Sequence, residues 1–268
     1  PAGGDGGAEP ATAATARADA ELAAFFDAYD KAQLARSPQS QTYRGIKADY
    51  GKWDDQSDAA AIADHAADVK ALAELRARFA GAALSPASRL SYRLFEKKML
   101  RDAARFAYRH NGYVFDQMNG SQSEYPSFLV NMHRITGKAD AEAYVSRLNA
   151  LGTALDQNIA ESERRAQLGV LPPKWVFPYV ISDAENVIRG APFDDGPDSP
   201  MFADFKAKLA KLDIPQAEKD ALVVRASKAL SGGVQPAYRR LIAVMKDQQA
   251  RAGTDDGVWR FRDGAAYY

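Results

Sequence analysis

From Asp140 onward the chain carries an apolar stripe of Tyr144, Leu148, Leu151, Leu155 and Ile159. The stripe keeps helical phase for about four turns. A strand turns alternate residues to opposite faces and cannot use this spacing. A helix of that length needs other helices to cover its apolar face, so the rest of the chain must supply them.

Comparable stripes run along most of the sequence. Leu22, Phe25, Phe26 and Tyr29 share a face in a segment that starts near Ala16 and stops at Ser37-Pro38. Residues 39–56 are polar, with Tyr43, Tyr50, Trp53 and two glycines, and read as an ordered loop. An Ala-rich helix covers 57–80. Ser85-Pro86 is an N-cap followed by proline in the first turn, and opens a helix with Tyr92, Phe95, Met99, Ala103 and Phe106 in line, ending at His110-Asn111-Gly112. Phe128, Leu129, Met132 and Ile135 mark a short helix. Asp140 caps the long one, and Gly169 with Pro172-Pro173 stops it.

A helix over 178–189 is closed by Gly190, and APFDDGPDSP reads as a turn-rich loop. Residues 202–212 and 215–230 form a helical hairpin. Gly232-Gly233 separates it from a helix with Tyr238, Leu241, Ile242 and Met245, with Tyr238 in the core. No repeat of solenoid length is visible.

Only GVWRFRDGAAYY, residues 257–268, breaks the pattern. Trp259 and Phe261 alternate with Arg260 and Arg262, and Asp263-Gly264 is a hairpin signal. The expected fold is all-α: an irregular multi-helix array with a short β-hairpin-like segment at the C-terminus. The expected organisation is a flexible tether over residues 1–15, a helical domain over 16–256 and the start of a β segment over 257–268. The Gly/Ala/Pro/Thr-rich tether fits a chain whose export signal has been removed, and fits an artificial boundary equally well.

Several chemistries are excluded by what the chain lacks. It has no cysteine, which removes disulfides, thiolate metal sites and cysteine nucleophiles. Its formal net charge of +0 offers no overall basic footprint for nucleic acid or anionic lipid. No run of residues is apolar enough for a membrane span. A zincin helix needs H-E-x-x-H, and His65, His110 and His133 stand alone in other contexts. His65 reads as solvent-facing, His110 as a partner of helix C-terminal carbonyls, and His133 as partly buried and structural. There is no G-x-S-x-G elbow, and GGDGG follows no strand. Asp194, Asp195 and Asp198 lack EF-hand spacing and read as a solvated turn. Asn119-Gly120-Ser121 matches a glycosylation sequon but reads first as a turn.

No residue is assigned a catalytic role. The loop from Tyr113 to Gly120 places Phe115 beside two amides, Gln117 and Asn119, and loops of this kind often line clefts. The other reading has Tyr113 and Phe115 filling the core while the amides satisfy the loop backbone.

Four stretches in order, DQMNGSQSEYPSFLVNMHRITGKADAEAYVSRL, GVLPPKWVFPYVISDAENVIRG, VQPAYRRLIAVMKDQ and GVWRFRDGAAYY, resemble the bacterial "domain of unknown function 885" proteins. SPQSQTYRGIKADYGKWDD resembles their N-terminal loop more loosely. The family resembles exported or lipid-anchored zinc metallopeptidases of about twice this length, with the zinc motif in the second half. The resemblance implies that the chain is the substrate-cleft-forming N-terminal portion of such a peptidase, inactive alone. Zinc would sit in a C-terminal catalytic half, present as a separate chain or fragment and acting as partner, with a peptide as substrate.

The resemblance further implies a periplasmic or outer-membrane-tethered location with a lipid anchor upstream. None of the family's metal ligands has a counterpart here. GVWRFRDGAAYY looks like the start of the family's central sheet. Tyr267, Tyr268, Gln117 and Asn119 are the candidates to face the cleft, and a large exposed apolar patch is expected where the other half docks. The alternative is a free-standing, non-catalytic helical binding or interaction protein.

Overall fold

A computed structural model describes residues 9–268, with side chains from Thr12. Among these residues the regular structure is helical: α1 Glu9–Arg36, α2 Pro38–Tyr43, α3 Asp58–Phe79, α4 Pro86–Phe106 and α5 Ser121–Asn131. They are followed by α6 Lys138–Gln167, α7 Phe177–Val187, α8 Pro200–Ala210, α9 Gln216–Ala229 and α10 Gln235–Arg251. The expected tether lies outside the described residues as far as residue 8; from Glu9 the chain is already helical.

Where one helical domain was expected over 16–256, packing separates two compact units, residues 9–36 with 59–109 and residues 37–58 with 110–268. In the first unit Leu22, Phe25, Leu72, Leu75, Phe79, Tyr92 and Met99 form a core between α1, α3 and α4. Phe25 sits edge-on to Phe79 at 5.9 Å and to Phe95 at 5.7 Å, the favoured geometry for aromatic pairs. Ser85 caps α4 as the sequence suggests, its Oγ accepting from the Ser88 amide at 3.3 Å. The helix ends at Phe106, one turn before His110.

The second unit is built on α6. Tyr144, Leu148, Leu151 and Leu155 are fully buried there, against residues from α5, α8, α9 and α10. Gly169, at φ 83°, lets the Val170 amide turn back to Arg165 O at 2.8 Å and ends the helix. The helix begins at Lys138 rather than at Asp140, whose carboxylate reaches back to the Thr136 amide at 2.8 Å and pairs with Lys47 at 2.7 Å. Ser37 does more than stop α1: its Oγ caps α2, so the expected loop over 39–56 starts as a short helix.

Gly232-Gly233 does not separate α9 from α10. The chain passes from one to the other through a π turn at Leu230–Val234, as an extra residue accommodated inside a helix does. The turn presses on α6, where a Cβ on Gly152 would sit 3.0 Å from Gly233 O.

The C-terminal hairpin is absent. Residues 258–260 form a 3₁₀ turn and Gly264–Tyr267 a single helical turn. A two-residue hairpin turn of type I′ needs positive φ at both central positions, but Asp263 has φ −114° and Gly264 is not among the positive-φ residues. The alternation of Trp259 and Phe261 reflects one residue turned out and one turned in, on a tight turn.

Candidate functional site

The loop that follows α4 is held from below and presents its tip. Asp116 Oδ1 accepts the amides of Met118 and Asn119, each at 2.7 Å, closing an Asx turn. Gly120 then starts α5, where any Cβ would overlap Gln122 Oε1 and the Asp116 backbone. Gln122 is buried and donates to Asp116 O at 2.6 Å and to Asp183 Oδ2 at 3.3 Å, while its Oε1 finds no partner. Tyr238, in the core as expected, donates to Gln122 O at 2.7 Å. Phe115 fills the core, and Gln117, Met118 and Asn119 are exposed.

The C-terminal segment lies beside this loop. Arg260 donates to Tyr113 Oη at 2.7 Å and to Leu171 O. Asn111 Nδ2 donates to Asp263 Oδ1 at 2.8 Å, and Phe261 is buried with its ring edge-on to Tyr113. Residues 171–179 join them, through Trp175 Nε1 to Asp256 Oδ1 at 3.2 Å and the Lys174 amide to Gly253 O at 2.8 Å. The structure therefore brings the segment carrying Gln117 and Asn119 next to the segment carrying Tyr267 and Tyr268. Both tyrosines are exposed, Tyr268 completely.

Four residues of this belt are not among the cleft candidates that the sequence offers. Trp175, Tyr179, Trp259 and Met118 are all exposed, Met118 to 78% and Trp259 to 70%. The available signal was composition: large apolar side chains in segments bounded by Pro172-Pro173, Gly120 and Gly257. Such segments usually bury their aromatics, so exposure here is informative.

Beneath the loop lies a cavity of about 10 Å³ lined by Tyr113, Phe115, Ser162, Arg165, Met245 and Gln248. That is room for about one water, so the candidate site is a surface. Glu161 on α6 bonds His110 Nδ1 at 2.7 Å and Arg165 Nε at 2.6 Å, and Arg165 reaches Gly112 O at 3.1 Å. Burial opposes ionisation of Glu161, but the hydrogen bonds from Arg165 and His110 outweigh it and hold the carboxyl below its usual range. The expected role of His110 is corrected: α4 has already ended, and the imidazole serves Glu161 instead of helix carbonyls.

Among the described residues no three His, Asp or Glu side chains are grouped so as to hold a metal ion. His65 is half-buried, stacked on Phe106 at 3.9 Å, rather than solvent-facing. His133 is fully buried. Asp194 accepts the Gly190 and Gly196 amides, as a turn residue does. The described residues therefore offer no ligand set for a zinc ion. No described helix is long and apolar enough to cross a membrane.

A crystal structure described as that of a "putative lipoprotein from Colwellia psychrerythraea" has the same fold, with a TM-score of 0.78 over 94% of this chain at 17% identity. The chain spans 45% of the length of that neighbour. No curated protein matches. The family model described as "Bacterial protein of unknown function (DUF885)" matches residues 38–268, both loops of the belt included. The chain belongs to the DUF885 family.

Proposed function

We propose that this chain is the substrate-cleft-forming portion of a zinc peptidase whose metal-binding half lies outside these residues. The observation that carries the reading is the belt of adjoining segments 111–120, 171–179 and 253–268, which exposes Met118, Trp175, Tyr179, Trp259, Tyr267 and Tyr268. Exposed apolar surface of this kind marks interaction sites. Part of the belt docks the catalytic half, which carries the zinc. The amides of Gln117 and Asn119 hydrogen-bond the backbone of an extended peptide, on a tip already ordered by Asp116. Binding a substrate remote from the bond to be cut supplies energy for positioning it.

The Colwellia neighbour's description supports export of this chain, with a lipid anchor upstream and a periplasmic or outer-membrane-tethered location. The C-terminal segment folds onto its own unit as a 3₁₀ turn and a single helical turn. The second reading is a free-standing helical binding protein. Hydrogen exchange of the purified chain with a mixture of extended peptides tests the belt. Zinc and peptidase assays with and without an added C-terminal half separate the two readings, since zinc and cleavage that appear only with that half support the first. The expected result for the pure chain is protection of 111–120 and 257–268 with neither zinc nor cleavage. Cleavage by the pure chain, or peptide binding that leaves both segments unprotected, would overturn the proposal.

A further inference from the structure

Helix α4 carries six Arg and Lys residues against two acids, in a chain whose formal net charge is +0. Its inner edge enters the core through Tyr92 and Met99. At 100° per residue, Leu90, Leu94, Leu100, Arg93, Lys97 and Arg101 fall within an outer arc of about 120°. The three leucines are exposed to 55%, 59% and 46%. No acid shares the arc. Glu96 is turned to Arg76 of α3 at 2.6 Å, and Asp102 lies on the flank with Lys98 at 2.7 Å and Arg101 at 3.5 Å. Among the described residues Arg93 and Lys97 have no ion-pair partner.

We propose that the outer face of α4 docks on an anionic phospholipid surface, with the helix lying along it. Interfacial helices combine these two features: apolar side chains enter between the acyl chains while Lys and Arg meet the phosphates. Charge complementarity selects this occupant over the others. A second copy packed face to face would set cations against cations. A nucleic acid would match the cations and leave the three leucines in water. The neutral balance of the whole chain conceals the asymmetry, because acids elsewhere cancel this one face.

The test is co-sedimentation of the 268-residue chain with vesicles of phosphatidylcholine alone and with an equal share of phosphatidylglycerol. The chain is expected to pellet with the mixed vesicles only, less so as salt rises. Arg93→Glu/Lys97→Glu/Arg101→Glu should lower partitioning by more than about tenfold, and Leu90→Ser/Leu94→Ser should lower it several-fold. All five side chains are exposed, so the variants should keep their melting curves. The chain has no cysteine, so Leu94→Cys carries a single environment-sensitive dye, whose emission should shift blue on mixed vesicles.

Failure of the native chain to pellet, equal pelleting by the variants, or unshifted emission would overturn the proposal. So would a dimer dissolved by Leu90→Ser/Leu94→Ser without vesicle binding, which would assign the face to a second copy. Complete displacement by single-stranded RNA with no effect of the leucine variant would assign it to nucleic acid.

Discussion

Arg147 donates to Nδ1 of His133 at 3.0 Å, so an imidazole receives one arm of a fully buried cation. The guanidinium also donates to Lys52 O at 3.0 Å and to Thr42 Oγ1 at 2.7 Å, and lies over the rings of Tyr50, Trp53 and Phe128. A guanidinium only donates and a carbonyl only accepts. His133 Nε2, 2.9 Å from Asp140 O, must therefore carry the ring proton. One side chain of α6 thus ties residues 37–56 to the core of their unit.

Replacing Arg147 should be the most damaging single change in that unit. Arg147→Met fills the space but leaves the partners on residues 37–56 unpaired. It should cost about 3–5 kcal/mol, the range for breaking a buried charged network. Arg147→Lys cannot reproduce the planar fork and should cost a large part of that. Urea unfolding, with the slope held constant, measures both. A loss below about 1 kcal/mol would show the hub to be dispensable.

The His133 imidazole gives the fold an acid limit. Burial, reinforced by the charge of Arg147, pushes it down to about 3 from the usual 6.5, against the pull of the Asp140 carbonyl. Between these values the unfolded chain binds a proton that the folded chain does not. Stability contributed by this site should therefore be complete above pH 6.5 and fall as the pH drops toward 3. The limiting slope is about 1.4 kcal/mol per pH unit. Melting curves across that window test it, and His133→Gln should flatten the dependence.

How much of this was legible follows from what each signal measures. Periodicity located the stripe of α6 because Tyr144, Leu148, Leu151 and Leu155 are buried by their spacing alone. It could not place Arg147, one residue from that stripe, because a buried arginine depends on acceptors that arrive from residues 38–52. Alternation misplaced residues 257–262, since Phe261 goes in and Trp259 out for tertiary reasons. Gly232-Gly233 looked like a break because glycine weakens helices, yet its small size admits the close approach to Gly152. Whole-chain charge could not reveal the α4 face. The candidate tip was visible in Gln117 and Asn119; the aromatics beside it needed the fold.

The tip itself depends on Asp116. Asp116→Ala removes the acceptor of two amides on an exposed loop and should lower global stability by only about 1 kcal/mol. Exchange of the Met118 and Asn119 amides should nevertheless accelerate markedly. Gly120→Ala should do more, about 1–3 kcal/mol, because the added carbon meets backbone that cannot yield. Hydrogen exchange read with denaturant melts distinguishes local loosening from global loss.

Glu161 links His110 and Arg165 to the base of the same loop. Glu161→Gln keeps the shape but removes the charge that both partners face, and should cost about 1–3 kcal/mol. A cycle with His110→Ala should show coupling of about 0.5 kcal/mol or more. Strict additivity in that cycle would mean that Glu161 serves its arginine partners and not His110.

Arg260 is the final link between the C-terminal segment and the candidate loop. Arg260→Ala removes the hydrogen bonds to Tyr113 Oη and Leu171 O, while Phe261 and the Asn111–Asp263 bond are among the contacts that still hold the segment. Such a peripheral loss should open residues 257–268 far more than it lowers global stability. Exchange there should accelerate more than about tenfold while the α6 core keeps its protection. If the belt binds extended peptides, Arg260→Ala should weaken binding while a matched change on α3, such as Val69→Ala, leaves it unchanged. Unaltered peptide binding in Arg260→Ala with a demonstrably opened segment would remove Tyr267 and Tyr268 from the cleft.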